Sequence, residues 1–226
     1  RQRVVGEPAM APAKPAGSGQ DWAAAAASHI AQEQRAISVP AVLALLQILP
    51  GVQRAERVLD LGGGPGLVAQ ALVRQYPGLH ATVFDWPPTA AVAGQLAADA
   101  GLQERIAILG GDLSQDTFGE GYDVIWCSSV LHFVPDCLDL LRRVHDALRP
   151  GGLFISAHAE RSGQPGMNVR VMPYYLSMLL AGRFVPRAGE LAGLLVQAGF
   201  ASVELGGECD FPMAPLTVWL ARKGEQ

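Results

Sequence analysis

The chain has 226 residues, half of them hydrophobic and 17% charged, with a formal net charge of −4 and a pI near 5.7. That length supports one good-sized core and a single domain. An acidic balance without any Lys/Arg cluster argues against nucleic acid or an anionic membrane surface as partner. The longest apolar stretch, near Val171–Ala181, is too short and too broken to span a bilayer, and no signal peptide opens the chain. Cys127, Cys137 and Cys209 have no metal-ligand spacing and the five histidines are scattered, which argues against a zinc site. A sparse, odd cysteine count fits a reducing cytoplasm. The chain does not begin with Met, so it reads as a fragment, a processed chain or the ordered part of something longer.

Residues 1–20 are rich in Pro, Gly and Ala without periodicity and read as a flexible arm or linker. Residues 21–52 combine helix formers with apolar residues at helical spacing (Val42, Leu45, Leu46, Leu49), a helical extension that Pro40 is expected to divide in two. From residue 53 to 226 strand and helix alternate. RVLDL is the first strand, followed by a helix over Gly66–Tyr76; HATVFD is the second, followed by a helix over Ala90–Ala100. RIAILGGD and YDVIWCS are the third and fourth strands, with a helix over Cys137–Leu148 after them. RPGG at 149–152 reads as a turn into the fifth strand, LFISAHA. A helix over Gly189–Ala198 stops at Gly199, and two strands close the chain near Ala201–Leu205 and Leu216–Ala221. Strands this apolar, alternating with helices, predict an α/β fold with a doubly wound, mostly parallel seven-stranded sheet covered on both faces.

The first strand runs into DLGGGPG. A strand, glycine turn and helix at the head of an alternating chain is where nucleotide-like ligands bind, because glycine lets the backbone approach the ligand closely. The dinucleotide spacing G-x-G-x-x-G fits in neither register; the spacing is instead Asp60-x-Gly62-x-Gly64-x-Gly66. Asp85 ends the second strand, 25 residues after Asp60, where a carboxylate can accept both ribose hydroxyls. Asp112 follows the third strand in GGDL. Each acid taken singly is as well explained by a helix cap or a solvated loop, and the glycine turn by a tight structural bend. Three strand ends with these residues in this order resemble the class I S-adenosylmethionine-dependent methyltransferases. The resemblance implies a cofactor whose methionine part lies over the glycine turn, with Asp112 beside the adenine amino group. The implied cofactor-binding set is Asp60, Gly62, Gly64, Gly66, Asp85, Trp86, Asp112, Leu113 and Ser128.

Further stretches are similar to one branch, the small-molecule O-methyltransferases related to caffeate and hydroxyindole O-methyltransferases, well represented in bacterial secondary metabolism. FDWPP resembles that branch's Asp-x-Pro, SSVLHFVPD its Leu-His-Asp-Trp stretch, and YYLSMLLAGRFVPRAGELAGLLVQAGF its Met-Leu stretch and last helix. The likeness runs from about Trp22 to the end. Three departures stand out. The helical dimerisation domain usual in front is absent, so homodimerisation is left open and favoured only where such a domain exists. The aspartate after the histidine is Phe133. Where the branch often has an acid after the fifth strand stands His158, with Glu160 two positions on.

His132 closes the loop after the fourth strand, which should neighbour the glycine-turn strand and end near the reactive methyl group. Methyl transfer is an in-line displacement at a sulfonium methyl, and a phenol or alcohol acceptor must also lose its proton. A histidine with a pKa near 6.5 suits that step, and Glu160 or Asp136 is the expected acid behind its ring. The competing reading gives His132 a gating or packing role. The segment Met167–Phe184 is apolar and aromatic, with Met172, Tyr175 and Met178 the expected contacts to a small aromatic acceptor. Ordinary helix packing explains it equally well. Trp22, His29 and Met10 are candidates for a lid from the front.

The reading is transfer of a methyl group from S-adenosylmethionine to a phenolic hydroxyl of a small secondary metabolite. Three alternatives stay open: methylation at carbon or nitrogen, a family member that binds the cofactor but catalyses a non-methylating reaction, and a non-catalytic binding module.

Overall fold

In a computed structural model, residues 19–49, 52–162, 168–211 and 214–225 are described. The arm expected over residues 1–20 falls outside them except for its last two residues, which already belong to a helix. Met10 and Met167 also lie outside the described residues.

The front of the chain is a helical run: α1 (Gly19–Ala25), α2 (Ala31–Glu33) and α3 (Val39–Gln47), joined by π-helical turns at Ala26–Ile30 and Gln34–Ser38. Pro40 does not divide it. Proline lacks an N–H and its ring crowds the carbonyl four residues back. Here the turn before it widens, with Val39 N–H donating to the Gln34 carbonyl, and Pro40 falls in the first turn of α3.

The strands are β1 (Arg57–Leu61), β2 (His80–Asp85), β3 (Ile106–Gly110), β4 (Tyr122–Ser128), β5 (Leu148–His158), β6 (Ser202–Asp210) and β7 (Pro215–Arg222). They form one sheet in the order β3-β2-β1-β4-β5-β7-β6. The first five pair in parallel, and β7 runs antiparallel to both β5 and β6. Between them lie α4 (Leu67–Gln75), α5 (Pro87–Asp99), α6 (Cys137–Ala147), α7 (Met172–Leu180) and α8 (Glu190–Gln197). Helix α5 starts three residues before expectation, because Pro87 and Pro88 occupy its first turn, where a missing N–H costs nothing. The turn expected at 149–152 is absorbed into β5 as a bulge: Tyr122 pairs with Leu148 but Val124 with Leu153, and Gly151 takes φ +73°. The last two strands are longer than expected at both of their facing ends, since each pairs with the other through Asp210 and Pro215.

Alternation along the strands divides the core. Val58, Val124, Trp126 and Ile155 face α3, α4 and α5, packing with Leu46, Leu72, Val73 and Ala97. Leu59, Leu61, Ile125 and Phe154 face the other way, against Leu140, Val144, Leu191 and Leu195. The chain winds outward from β1 to β3 and then returns to place β4 on the other side of β1, so the sheet's switch point lies between β1 and β4. In such sheets ligands bind in the crevice at the carboxyl ends of the two strands.

Candidate active site

Leu61 of β1 pairs with Cys127 of β4, so the loops that leave these strands start side by side. The glycine turn leaves β1. Gly62 and Gly64 adopt φ +72° and +59°, which a side chain disfavours, and a Cβ on Gly62 would stand 2.4 Å from Val130 Cγ2 in the loop after β4. The two loops are thus in direct contact. Gly62 N–H donates to the Phe84 carbonyl at 2.8 Å, and Gly66 caps α4. Asp60 is 2% exposed and lies under the turn, its carboxylate accepting from Ala69 N–H at 3.3 Å. Burial pushes its pKa up to about 7; the Ala69 bond pulls the other way and the Asp85 charge adds to the rise.

Asp85 ends β2 and ties the site together: one carboxylate oxygen accepts from Gly64 N–H at 2.9 Å, the other from Trp86 N–H at 2.7 Å. Burial raises its pKa and these two bonds moderate the rise. Trp86 caps α5 and is 42% exposed. Asp112, after β3, folds its carboxylate onto its own turn, accepting from Ser114 N–H at 2.8 Å and Ser114 Oγ at 2.5 Å. Leu113 packs on the core, its carbonyl held by Arg143. Ser128 ends β4, half-buried, and Ser129 then turns the chain with φ +55°, its N–H donating to Ala157 O at 3.1 Å.

His132 sits in a 3-10 turn, Leu131–Phe133, and is 7% exposed. Its ring lies 4.1 Å from that of Phe133 and 5.4 Å edge-on from that of Tyr175, centroid to centroid. Trp22 of α1 packs edge-on against Phe133 at 5.1 Å, and Arg183 stands over the same ring at 5.5 Å. Burial, with a smaller contribution from the Arg183 charge, lowers the His132 pKa to about 4, so the imidazole is neutral at pH 7. Beside it is a closed space of about 10 Å³ bounded by Leu131, His158, Tyr175, Phe184 and Pro186. Of the expected acceptor contacts, Tyr175 reaches this wall and shares a hydrogen bond with Ser129. Met178 packs against the core, Met172 is half-buried, and neither lines the space. His29 is exposed.

The acids expected behind His132 have other partners. Glu160 accepts from Trp219 Nε1 at 2.8 Å and Gly189 N–H at 3.1 Å, and Asp136 caps α6 by accepting from Asp139 N–H. His158 instead holds the His132 turn. Its Nε2 accepts from Val130 N–H at 3.1 Å and Leu131 N–H at 3.2 Å, so the ring proton resides on Nδ1, which donates to Ser156 Oγ at 2.9 Å. Burial and the neighbouring His132 bring its pKa down to about 3, consistent with an acceptor that never charges. Gln34 is a second residue that sequence reasoning did not single out: its amide accepts from Leu67 N–H and donates to Gly63 O, both at 3.3 Å, clamping the glycine turn from the helical run. No local pattern marks it, since the contact spans 29 residues.

Strand order, glycine turn and the acids at successive strand ends are together those of a class I S-adenosylmethionine-dependent methyltransferase. The chain belongs to the O-methyltransferase domain family, whose family model matches residues 18–201. It is 33% identical over 174 residues to acetylserotonin O-methyltransferase of Mus musculus, covering 74% of this chain and 44% of that one. It is 30% identical over 161 residues to L-tyrosine C(3)-methyltransferase of Streptomyces lavendulae, covering 69% and 44%. The structure of human N-acetylserotonin methyltransferase in complex with SAM superposes with a TM-score of 0.68 at 27% identity, covering 89% of this chain and 56% of that one. The chain thus spans about half the length of the relatives it matches.

Proposed function

We propose that this chain transfers the methyl group of S-adenosylmethionine to a phenolic hydroxyl of a small molecule, with His132 receiving the hydroxyl proton. The reading rests on one observation: a buried, neutral imidazole on a turn pinned by His158 and in contact with the glycine turn that the family uses for its cofactor. The named relatives, one of them solved with SAM, support the same cofactor and acceptor class.

The residues fit that cofactor. Asp60 and Asp85 put two carboxyl groups at the switch point; burial raises the pKa of both, and a bound sulfonium and its ammonium group would favour their charged forms. Asp85 uses one lone pair on each oxygen for the backbone and keeps others for ribose hydroxyls. Asp112 and Leu113 line the adenine end, and Asp112 exchanges its Ser114 contacts for that role. The cofactor supplies an activated methyl group. The protein's own task is to align the acceptor oxygen, and orientation contributes about 7–11 kcal/mol in favourable cases. Neutral His132 takes the proton as the oxygen becomes nucleophilic; its pKa of about 4 makes it a weaker base than the 6.5 expected from the sequence, so the step falls toward the low end of the usual range of about 10²–10⁴ in rate. A phenol does not fit into about 10 Å³, so the wall formed by Tyr175, Phe184 and Pro186 moves outward when the acceptor enters. The cysteine content supports a reducing, cytoplasmic setting, and no described helix is long and apolar enough to cross a membrane.

A second reading, methylation of a ring carbon beside the hydroxyl, is favoured by the similarity to a tyrosine C-methyltransferase. In the first His132 accepts the phenolic proton; in the second it orients the acceptor rather than deprotonating it. Incubation with methyl-labelled S-adenosylmethionine and a panel of phenols, with the product's methyl position assigned by NMR, separates them. His132→Ala should lower the rate by about 10²–10⁴; a loss of only a few-fold would assign His132 to packing.

A further inference from the structure

A second cavity, of about 540 Å³, opens where the helical run, α4 and α5 meet. Its size lies within the range of small-molecule sites. Arg35 enters it from the π turn before α3, Leu67, Gln70 and Arg74 from α4, and Leu96 and Asp99 from α5. Gln70 and Arg74 are four apart and Leu96 and Asp99 three apart, so each helix presents one face to the space.

Gln70 is 3% exposed, and its Nε2 has no hydrogen-bond partner among the described residues. That nitrogen has no accessible surface and lies behind the wall, so what the cavity offers a ligand is charge and apolar surface. The net charge of the lining is positive. Two guanidinium groups face one carboxylate, and Asp99 already accepts from Gln95 Nε2 at 2.7 Å. Leu67 and Leu96 leave the remaining wall apolar. The cavity therefore has surplus positive charge on two guanidinium groups and an apolar side.

We infer that this cavity binds a small amphipathic anion, its carboxylate or sulfonate between Arg35 and Arg74, its apolar body on Leu67 and Leu96. The site is separate from the crevice at His132. It is connected to the glycine turn, because Gln34, next to Arg35, bonds Gly63 O and Leu67 N–H. An anion that bridges Arg35 to Arg74 holds the helical run against α4 and so preserves that clamp. By linkage, anion and cofactor then strengthen each other's binding.

The test needs no methyl transfer. The full chain is titrated with anilinonaphthalene sulfonate, an aromatic body with one sulfonate, and with its uncharged analogue phenylnaphthylamine, each followed by fluorescence with and without S-adenosylhomocysteine. Saturable sulfonate binding is expected, weakened by about tenfold in Arg35→Gln and again in Arg74→Gln, with the uncharged analogue unaffected. S-adenosylhomocysteine should raise the sulfonate's affinity, and an unchanged affinity would remove the linkage. Absence of saturable binding, equal affinity in the folded double variant, or displacement of the probe by S-adenosylhomocysteine would each overturn the assignment; circular dichroism checks the fold of the variants.

Discussion

His158 stands where the family resemblance predicts an acid, and an imidazole performs the task there without the charge. A carboxylate there would accept the Val130 and Leu131 N–H bonds and bring a negative charge beside His132. The imidazole accepts the same two bonds and brings none. Burial first, and the charge of nearby Arg183 second, hold the His132 pKa down, and Phe133 beside it adds no compensating negative charge. Replacing His158 by Phe leaves two buried N–H groups unpaired and should cost about 2–4 kcal/mol in urea unfolding. His158→Gln retains an acceptor and should recover part of that loss. Asp85→Ala should weaken S-adenosylhomocysteine binding by about 10- to 100-fold in calorimetry, through lost ribose bonds and a loosened Gly64. Unchanged affinity would remove the ribose role.

Two turns, one after β1 and one after β4, form the centre of the site, and each constrains the other. Gly62→Ala places a methyl 2.4 Å from Val130 Cγ2 at a φ of +72°, so the Val130–Phe133 turn must shift. Destabilisation of about 2 kcal/mol or more and loss of methyl transfer are expected, read by urea unfolding and by labelled-methyl incorporation. The same elements show what local patterns convey. The positions of the glycine turn and of the acids at strand ends were legible because each is a short-range feature fixed by where a strand stops. The fate of Pro40 was not. A proline predicts a broken helix from local sterics, and whether a π turn absorbs the misfit is decided by what the flanking residues pack against; here Val42, Leu45 and Leu46 are buried in the core. Residues 149–152 read as a turn for the same reason, and pairing with β4 drew them into a strand.

At the scale of the molecule, buried titrating groups set opposing pH slopes. His132 and His158 have folded pKa values of about 4 and about 3 against an ordinary 6.5. As pH falls below 6.5 the unfolded chain takes up protons that the folded chain refuses, and stability is lost down to those values. Asp60, at about 7 against 3.8, acts in the opposite sense: the folded chain holds a proton that the unfolded chain releases, so stability falls as pH rises through that window. The wild-type chain should therefore lose its advantage over His158→Gln by about 2–3 kcal/mol between pH 7 and pH 4.5, measured by urea unfolding at both values. A gap that does not change with pH would mean that His158 takes up its proton as readily in the fold as in the unfolded chain.

The sequence alone determined the α/β class, the position of the glycine turn, the acids at the ends of β2 and β3, and the arrival of His132 at the end of β4. All of these follow from periodicity and from residues within a few positions of one another. Only the tertiary structure decided what surrounds His132. Glu160, two residues beyond His158, is turned to Trp219 and Gly189, while His158 takes the backbone of the His132 turn. It likewise brought Gln34 and Arg35 from the helical run onto α4 and the glycine turn. These partners lie 27 to 59 residues apart in the chain. Their choice depends on how whole faces pack and which buried donors remain to be satisfied, a balance that no local window contains.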